Sequence, residues 1–296
     1  MPTKEDLQYY QAMPLALKVL FSLQRMREWT REYGGNGVYV SFSGGKDSTV
    51  LADLYAKFCK DWGYEMWLVF VNTGLEYPEI QKFVKWYADY LRQKHGIVVH
   101  LEVLRPKMRF DEVIKRYGYP VISKEVSECV AQARTALRKN DGTYNYRLAR
   151  LQGKLLDKNG DPSIFNHQKY EPLLYTDFIA SNKCCTVMKK NPAKAYTKRT
   201  GRKPITAQMA EESKLRAQQW LKNGCNGFDM KSPISNPMSF WTEQDVLQYI
   251  KQNNIPIAQV YGEVVYATDP EQMRLADYGV GDCGTEKLAT TGCDRT

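Results

Sequence analysis

Behind Pro14, the apolar residues Leu15, Leu17, Val19, Leu20, Leu23 and Met26 recur at near-helical spacing, and Gly34-Gly35 closes the run, so the pattern predicts a helix. The period then changes. Gly37-Val-Tyr-Val-Ser-Phe42 reads as a buried strand, Ser43-Gly-Gly-Lys-Asp-Ser48 as a turn, and Val50, Leu51, Leu54, Tyr55 and Phe58 restore a helical spacing. Met66 to Val71 is a second apolar strand, ending in Asn72-Thr73-Gly74. Pro78 opens a helix that runs to about Lys94, and Ile97 to Val103 is a third strand. Strands and helices alternating at this spacing predict an α/β fold built on a parallel sheet with crossover helices.

The regularity stops there. Residues 110 to 200 are basic and mostly helical or irregular, with a clear turn at Asn159-Gly160-Asp161-Pro162. Pro204 to Met209 reads as one more strand and Glu211 to Leu221 as a helix. Thr242 is a good N-cap, with Asp245 at the third helical position, for a helix running to about Gln252. The expected architecture is one domain over residues 1–296: a parallel sheet flanked by helices, a basic helical insertion at 130–200, and a C-terminal helical cap.

Composition narrows the class. The 296 residues are 43% hydrophobic and 12% aromatic, a globular composition, and no long uncharged apolar run suits a membrane span. The first residues lack an apolar core behind a basic start, so no secretory signal is expected. Seven scattered cysteines do not make a disulfide scaffold. The expected location is the cytoplasm. The net charge of +9 is localised: residues 130–200 hold fourteen Lys and Arg against five Asp and Glu, and the rest of the chain balances. A solvated insertion and a surface for phosphates both fit that segment. Arg138, Lys139, Arg147 and Arg150 are its first candidates for phosphate contact.

The turn at Ser43–Ser48 carries the most chemistry. A turn between a parallel strand and its helix aims backbone N–H groups at an anion, and the helix dipole adds positive potential. Gly44 and Gly45 allow close backbone approach, Lys46 adds a full charge, and Ser43 and Ser48 add hydroxyls. It is not the common phosphate loop, because Asp47 follows the lysine and Val40 stands where the first glycine belongs.

Ser43-Gly-Gly-Lys-Asp-Ser48 resembles the pyrophosphate-loop motif of the ATP pyrophosphatase superfamily, which has an adenine-nucleotide α-hydrolase fold. Later segments resemble its phosphoadenosine-phosphosulfate-reductase-like branch. They are Asn72-Thr-Gly-Leu-Glu-Tyr-Pro-Glu79, the pair Cys184-Cys185 with Lys189 and Pro192, Thr206 to Ser213, and the run from Asn236-Pro237 through Trp241-Thr242, Asp245 and Ile255-Pro256 to Tyr261. One departure is Met209, where the family usually has Arg before the acidic pair Glu211-Glu212. The resemblance implies catalytic roles for Lys46 and Asp47. It also implies nucleotide contacts from Ser41, Ser43, Gly44, Gly45, Lys46, Asp47, Ser48, Thr73, Gly74 and Glu76. ATP and Mg²⁺ are the implied cofactors. Cluster-bearing relatives suggest Cys184, Cys185, Cys283 and Cys293 as ligands of a 4Fe-4S cluster, although Thr296 stands where a second cysteine of a late pair would fall. A cluster and metal-free thiols both stay open.

Phosphosulfate reductases usually lack this Lys-Asp and carry a catalytic cysteine in a C-terminal tail. Lys46-Asp47 is retained here and no such tail precedes Thr296. The expected activity is therefore ATP to AMP and pyrophosphate through an adenylated acceptor, in sulfur metabolism or in sulfur transfer to tRNA or DNA. The alternatives are a sulfonucleotide reductase and a non-catalytic nucleotide- or nucleic-acid-binding accessory protein. A homodimer or a partner protein is compatible with either. His95, His100 and His167 form no constellation and receive no role.

Overall fold

The computed structural model describes residues 2–139, 142, 144–267 and 287–292. Its first half contains α1 (Lys4–Ala12), α2 (Leu15–Tyr33), β1 (Val38–Ser41), α3 (Lys46–Trp62), β2 (Met66–Val71), α4 (Pro78–His95), β3 (Val99–Leu104), α5 (Phe110–Tyr117), α6 (Lys124–Lys139) and α7 (Tyr146–Leu151). Then come the single turn α8 (Lys183–Cys185), α9 (Asn191–Thr200), β4 (Lys203–Ile205), α10 (Lys214–Asn223), β5 (Asn226–Gly227), β6 (Ile234–Ser235), α11 (Glu243–Gln252), β7 (Val264–Ala267) and β8 (Lys287–Thr290). The chain divides into two compact units. The first comprises Met1–Asn72, Glu76–Leu104 and Tyr196–Thr296; the second comprises Thr73–Leu75 and Arg105–Ala195.

The first unit is the expected α/β fold. Among the described residues its sheet has six strands in the order β3-β2-β1-β4-β6-β5, parallel except for β5 against β6. Val40 of β1 sits opposite Leu68 on one side and Ile205 on the other, and all three are fully buried. Strands this apolar suit a sheet covered on both faces. Trp29, Tyr55, Tyr87 and Trp241 fill the core between the sheet and its helices.

Two buried polar clusters fasten the helices. Asp53 of α3 accepts hydrogen bonds from Lys94 (2.8 Å) and Tyr249 (2.9 Å), and His95 Nε2 lies 2.9 Å from the same carboxylate. Burial disfavours the charge on Asp53, yet His95, Lys94 and Tyr249 outweigh it and hold the carboxyl below its ordinary pKa. Lys18 of α2 meets Asp245 of α11 at 2.6 Å and donates to the Gln11 carbonyl at 2.7 Å. Asp245 also closes the capping box with Thr242, so the cap read from the sequence is present.

Three details differ from the sequence pattern. Helix α1 was not expected, because Leu7 is its one buried residue; a Thr3–Asp6 capping box starts it. Strand β4 is shorter than Pro204–Met209. The helix expected from Glu211 begins at Lys214, because the Ser213 hydroxyl accepts from the Arg216 amide and sets the N-cap there.

The second unit has its own small core of Val126, Cys129, Val130, Ala133, Leu151, Leu174 and Ala180. Arg134 on α6 donates to the carbonyls of Leu173, Thr176 and Phe178, tying the irregular chain at 173–178 to that helix. Arg150 is 6% exposed, pairs with Glu125 at 2.7 Å and donates to the Phe165 carbonyl. Of the four cations singled out as candidates for phosphate contact, Arg150 thus serves the unit's own packing.

Candidate functional site

The sheet order contains a switch point, where the order of strands reverses. From β1 the chain steps outward through β2 to β3, then returns to the other side of β1 as β4. In open parallel sheets, ligands bind beyond the carboxyl ends of the strands at such a switch point. The segment that leaves β1 there is Phe42 to Gly45, leading directly into α3.

Its conformation depends on glycine. Gly44 has φ +77°, and a Cβ at that position would lie 2.9 Å from Ile80 Cγ2 and 3.1 Å from Val84 Cγ2. The loop also bonds to itself. The Ser43 amide donates to Ser48 Oγ at 3.2 Å, the two serine hydroxyls lie 3.0 Å apart, and Ser48 Oγ donates to the Gly45 carbonyl at 2.9 Å. Ser48 is therefore a builder of the loop, buried beneath it, whereas Ser43 is exposed. Ser41 ends β1 and is half-buried.

Lys46 and Asp47 occupy the first turn of α3, where helix amides have no acceptor within the helix. Lys46 is 8% exposed, and its Nζ lies 2.9 Å from Glu243 Oε1 and 3.9 Å from Asp47 Oδ1. Burial works against its charge, but Asp47 and Glu243 prevail and raise its pKa. Asp47 is the opposite case. Burial pushes its carboxyl pKa up, Lys46 only partly offsets this, and its Oδ1 is buried without a hydrogen-bond partner.

Three residues far from the loop in sequence come close to it. Glu243 opens α11, and its amide donates to Glu211 Oε2 at 2.7 Å. The Tyr261 hydroxyl sits over Gly45, 3.2 Å from where a Cβ would be. Arg216 pairs with Glu212 and lies close enough to Asp47 for the two charges to interact. Met209, which stands where the family usually has arginine, is buried. A cleft of about 500 Å³ in the same unit is lined by Tyr10, Phe21, Arg25 and Trp220, among others, and by none of the loop residues.

The sequence matches the phosphoadenosine phosphosulfate reductase domain over residues 37–146 and 145–268. The chain belongs to the phosphoadenosine phosphosulfate reductase family. No curated protein matches it significantly. Among solved structures, the NH3-dependent NAD synthetase from Campylobacter jejuni aligns at 13% identity over 90% of this chain and 85% of that one, with a TM-score of 0.38. NMN synthetase from Francisella tularensis aligns at 13% over 88% and 82%, with a TM-score of 0.38. The U34-tRNA thiolase NcsA from Methanococcus maripaludis, solved with its 4Fe-4S cluster, aligns at 17% over 79% and 89%, with a TM-score of 0.21. These likenesses are too slight to bear on the chemistry of this family member.

Thr73, Gly74 and Glu76 follow the carboxyl end of β2, the strand beside β1. Thr73 and Gly74 group with the second unit, where Thr73 Oγ1 accepts from the Leu75 amide at 3.3 Å and Gly74 has φ +81°. Glu76 belongs to the first unit, and its carbonyl accepts from Gln81. Cys184 and Cys185 are half-buried neighbours on α8; Cys283 and Cys293 lie outside the described residues. Among the described residues no three His, Cys, Asp or Glu side chains converge, so that part of the chain offers two thiols where a 4Fe-4S cluster takes four. Cys59, Cys129 and Cys225 are buried, and burial pushes the Cys59 thiol up to about 12. These three are packing residues. No helix among the described residues is long and apolar enough to cross a membrane.

Proposed function

We propose that this member of the family is an enzyme acting at the α-phosphate of ATP, releasing pyrophosphate and adenylating an acceptor. The observation that carries the reading is the first turn of α3, where Lys46 stands beside a glycine-shaped loop at the switch point of a parallel sheet. The loop amides and Lys46 would take the β- and γ-phosphates and stabilise the charge that grows on the departing pyrophosphate. Glu243 holds Lys46 in place until the phosphates arrive and compete for it. Asp47 fits a cation: its buried Oδ1, which makes no hydrogen bond, suits Mg²⁺, held directly or through water, and the ion would neutralise phosphate charge. Tyr261 and Arg216 stand where they can bond phosphate oxygens.

The acceptor in this reading is a polyanion, tRNA or DNA, met by the basic second unit, with Cys184 and Cys185 as thiols or cluster ligands for sulfur transfer. The test is to incubate the anaerobically purified protein with labelled ATP and measure pyrophosphate and AMP, with and without tRNA, DNA or sulfate. Pyrophosphate that depends on one acceptor is expected. A second reading, reduction of a sulfonucleotide, is favoured by the family match itself. It predicts sulfite release from the sulfonucleotide with a thiol reductant, and no pyrophosphate. Nucleotide binding without either product would leave the accessory role.

A further inference from the structure

The net charge follows the division into units. The second unit holds eighteen Lys and Arg against nine Asp and Glu, which leaves 24 against 24 for the rest of the chain. Every unit of the +9 excess therefore belongs to residues with their own small core. That unit also exposes aromatic rings. Tyr144 is 71% exposed and Tyr146 48%, flanking the start of α7.

A groove of about 460 Å³ runs along α6 in this unit. Its walls include Gln132 and Lys139 of α6, Tyr144 and Asn145 ahead of α7, and Asn182 and Lys183 ahead of the double cysteine. Glu128 is also in the wall, and its carboxylate accepts from Asn182 at 2.9 Å and from Gln132 at 3.1 Å. That carboxylate is thereby engaged in joining the walls. The two lysines are exposed.

We infer that this groove binds single-stranded nucleic acid, with Tyr144 stacking on an unpaired base and Lys139 and Lys183 contacting phosphates. The charge alone would suit a duplex, a strand or an acidic peptide. The tyrosine separates them, because base–aromatic stacking needs a base whose face is free, and duplex bases offer none. At about 460 Å³ the groove has room for about one nucleotide. Lys183 immediately precedes Cys184 and Cys185, so this wall of the groove leads directly to two half-buried thiols. The inference rests on the proposed polyanionic acceptor and narrows it to an unpaired segment.

Fluorescence anisotropy with a labelled twelve-nucleotide RNA or DNA strand, free and annealed to its complement, tests it on the full chain at about 50 and 200 mM salt. The single strand is expected to bind tighter than the duplex. Tyr144→Ala should lower its affinity about tenfold, in line with stacking energies, and leave the salt slope unchanged, while Tyr144→Phe retains binding. Lys139→Gln with Lys183→Gln should weaken binding and reduce the salt slope by about 1.4, at about 0.7 per strand phosphate. Tyr144 and both lysines are exposed, so folding is checked simply by circular dichroism. Equal or tighter duplex binding, no strand binding at low salt, indifference to Tyr144→Ala, or full competition by polyglutamate or anionic vesicles each overturns it. ATP affinity and pyrophosphate release are measured on the same samples. Their persistence without strand binding defeats this inference alone, and strand binding without ATP turnover defeats the α-phosphate reading instead.

Discussion

The two units solve different problems with different parts of the amino-acid alphabet. The first is charge-balanced and buries its chemistry: Lys46 and Asp47 are largely covered, Asp53 sits under α4 and α11, and large aromatics fill the space between. The second has a core of small aliphatic residues, carries the whole net charge, and spends several polar side chains on irregular backbone. A phosphate site made by packing is exact in geometry and sensitive to any change of shape. One made by surface charge tolerates substitution and responds to salt.

The largest expected effect on that contrast is at Asp53. Removing one partner of a buried charge cluster leaves the others unpaired, so Asp53→Ala should cost about 3–5 kcal/mol of stability, read by denaturant unfolding. The pH dependence has a definite sign. Because the folded pKa is depressed, the Asp53 contribution is complete above its unfolded value near ~3.9 and is lost as the pH falls through the folded value. Asp53→Asn should flatten the acid limb of the stability profile in that window.

Lys46→Ala comes next. Charge-assisted bonds to phosphate contribute about 1.5–3 kcal/mol, so nucleotide affinity should fall roughly 10- to 150-fold with the fold intact. Titration by calorimetry alongside circular dichroism reads both. Gly44→Ala should destabilise by about 1–3 kcal/mol and disturb nucleotide binding as well, because it combines a positive φ with a close approach to Ile80. A thermal melt and a binding curve that both match wild type would show that the loop is not shape-limited. Smallest of all, Arg138→Ser, Lys154→Ser and Lys158→Ser lie on exposed positions of the second unit and should each change stability by no more than about 0.5 kcal/mol. A large loss there would erase the distinction between the units.

Much of this was legible in the chain because it is local. The alternation of strand and helix from Val38 to Leu104, the Gly-Gly turn, and the Thr242–Asp245 cap are written within a few residues of where they act. What was not legible depends on distance along the chain. Nothing near Lys46 announces that Glu243 will pair with it, that Tyr261 will cover Gly45, or that Arg216 will come close enough to Asp47 for their charges to interact. Those partners are chosen by how α10 and α11 pack. Arg150 teaches the same lesson in reverse, since its charge suggested a phosphate contact and it is buried against Glu125 and the Phe165 carbonyl instead.

On the proposed function, nucleotide recognition belongs to the packed first unit. Calorimetric titration with a non-hydrolysable ATP analogue in the presence of Mg²⁺ tests it most directly, comparing wild type, Lys46→Ala and the triple serine variant of Arg138, Lys154 and Lys158. Saturable binding that drops at least about tenfold in Lys46→Ala and stays unchanged in the triple variant is the predicted result. Binding that ignores Lys46, or that disappears with the three exposed cations, would contradict the account.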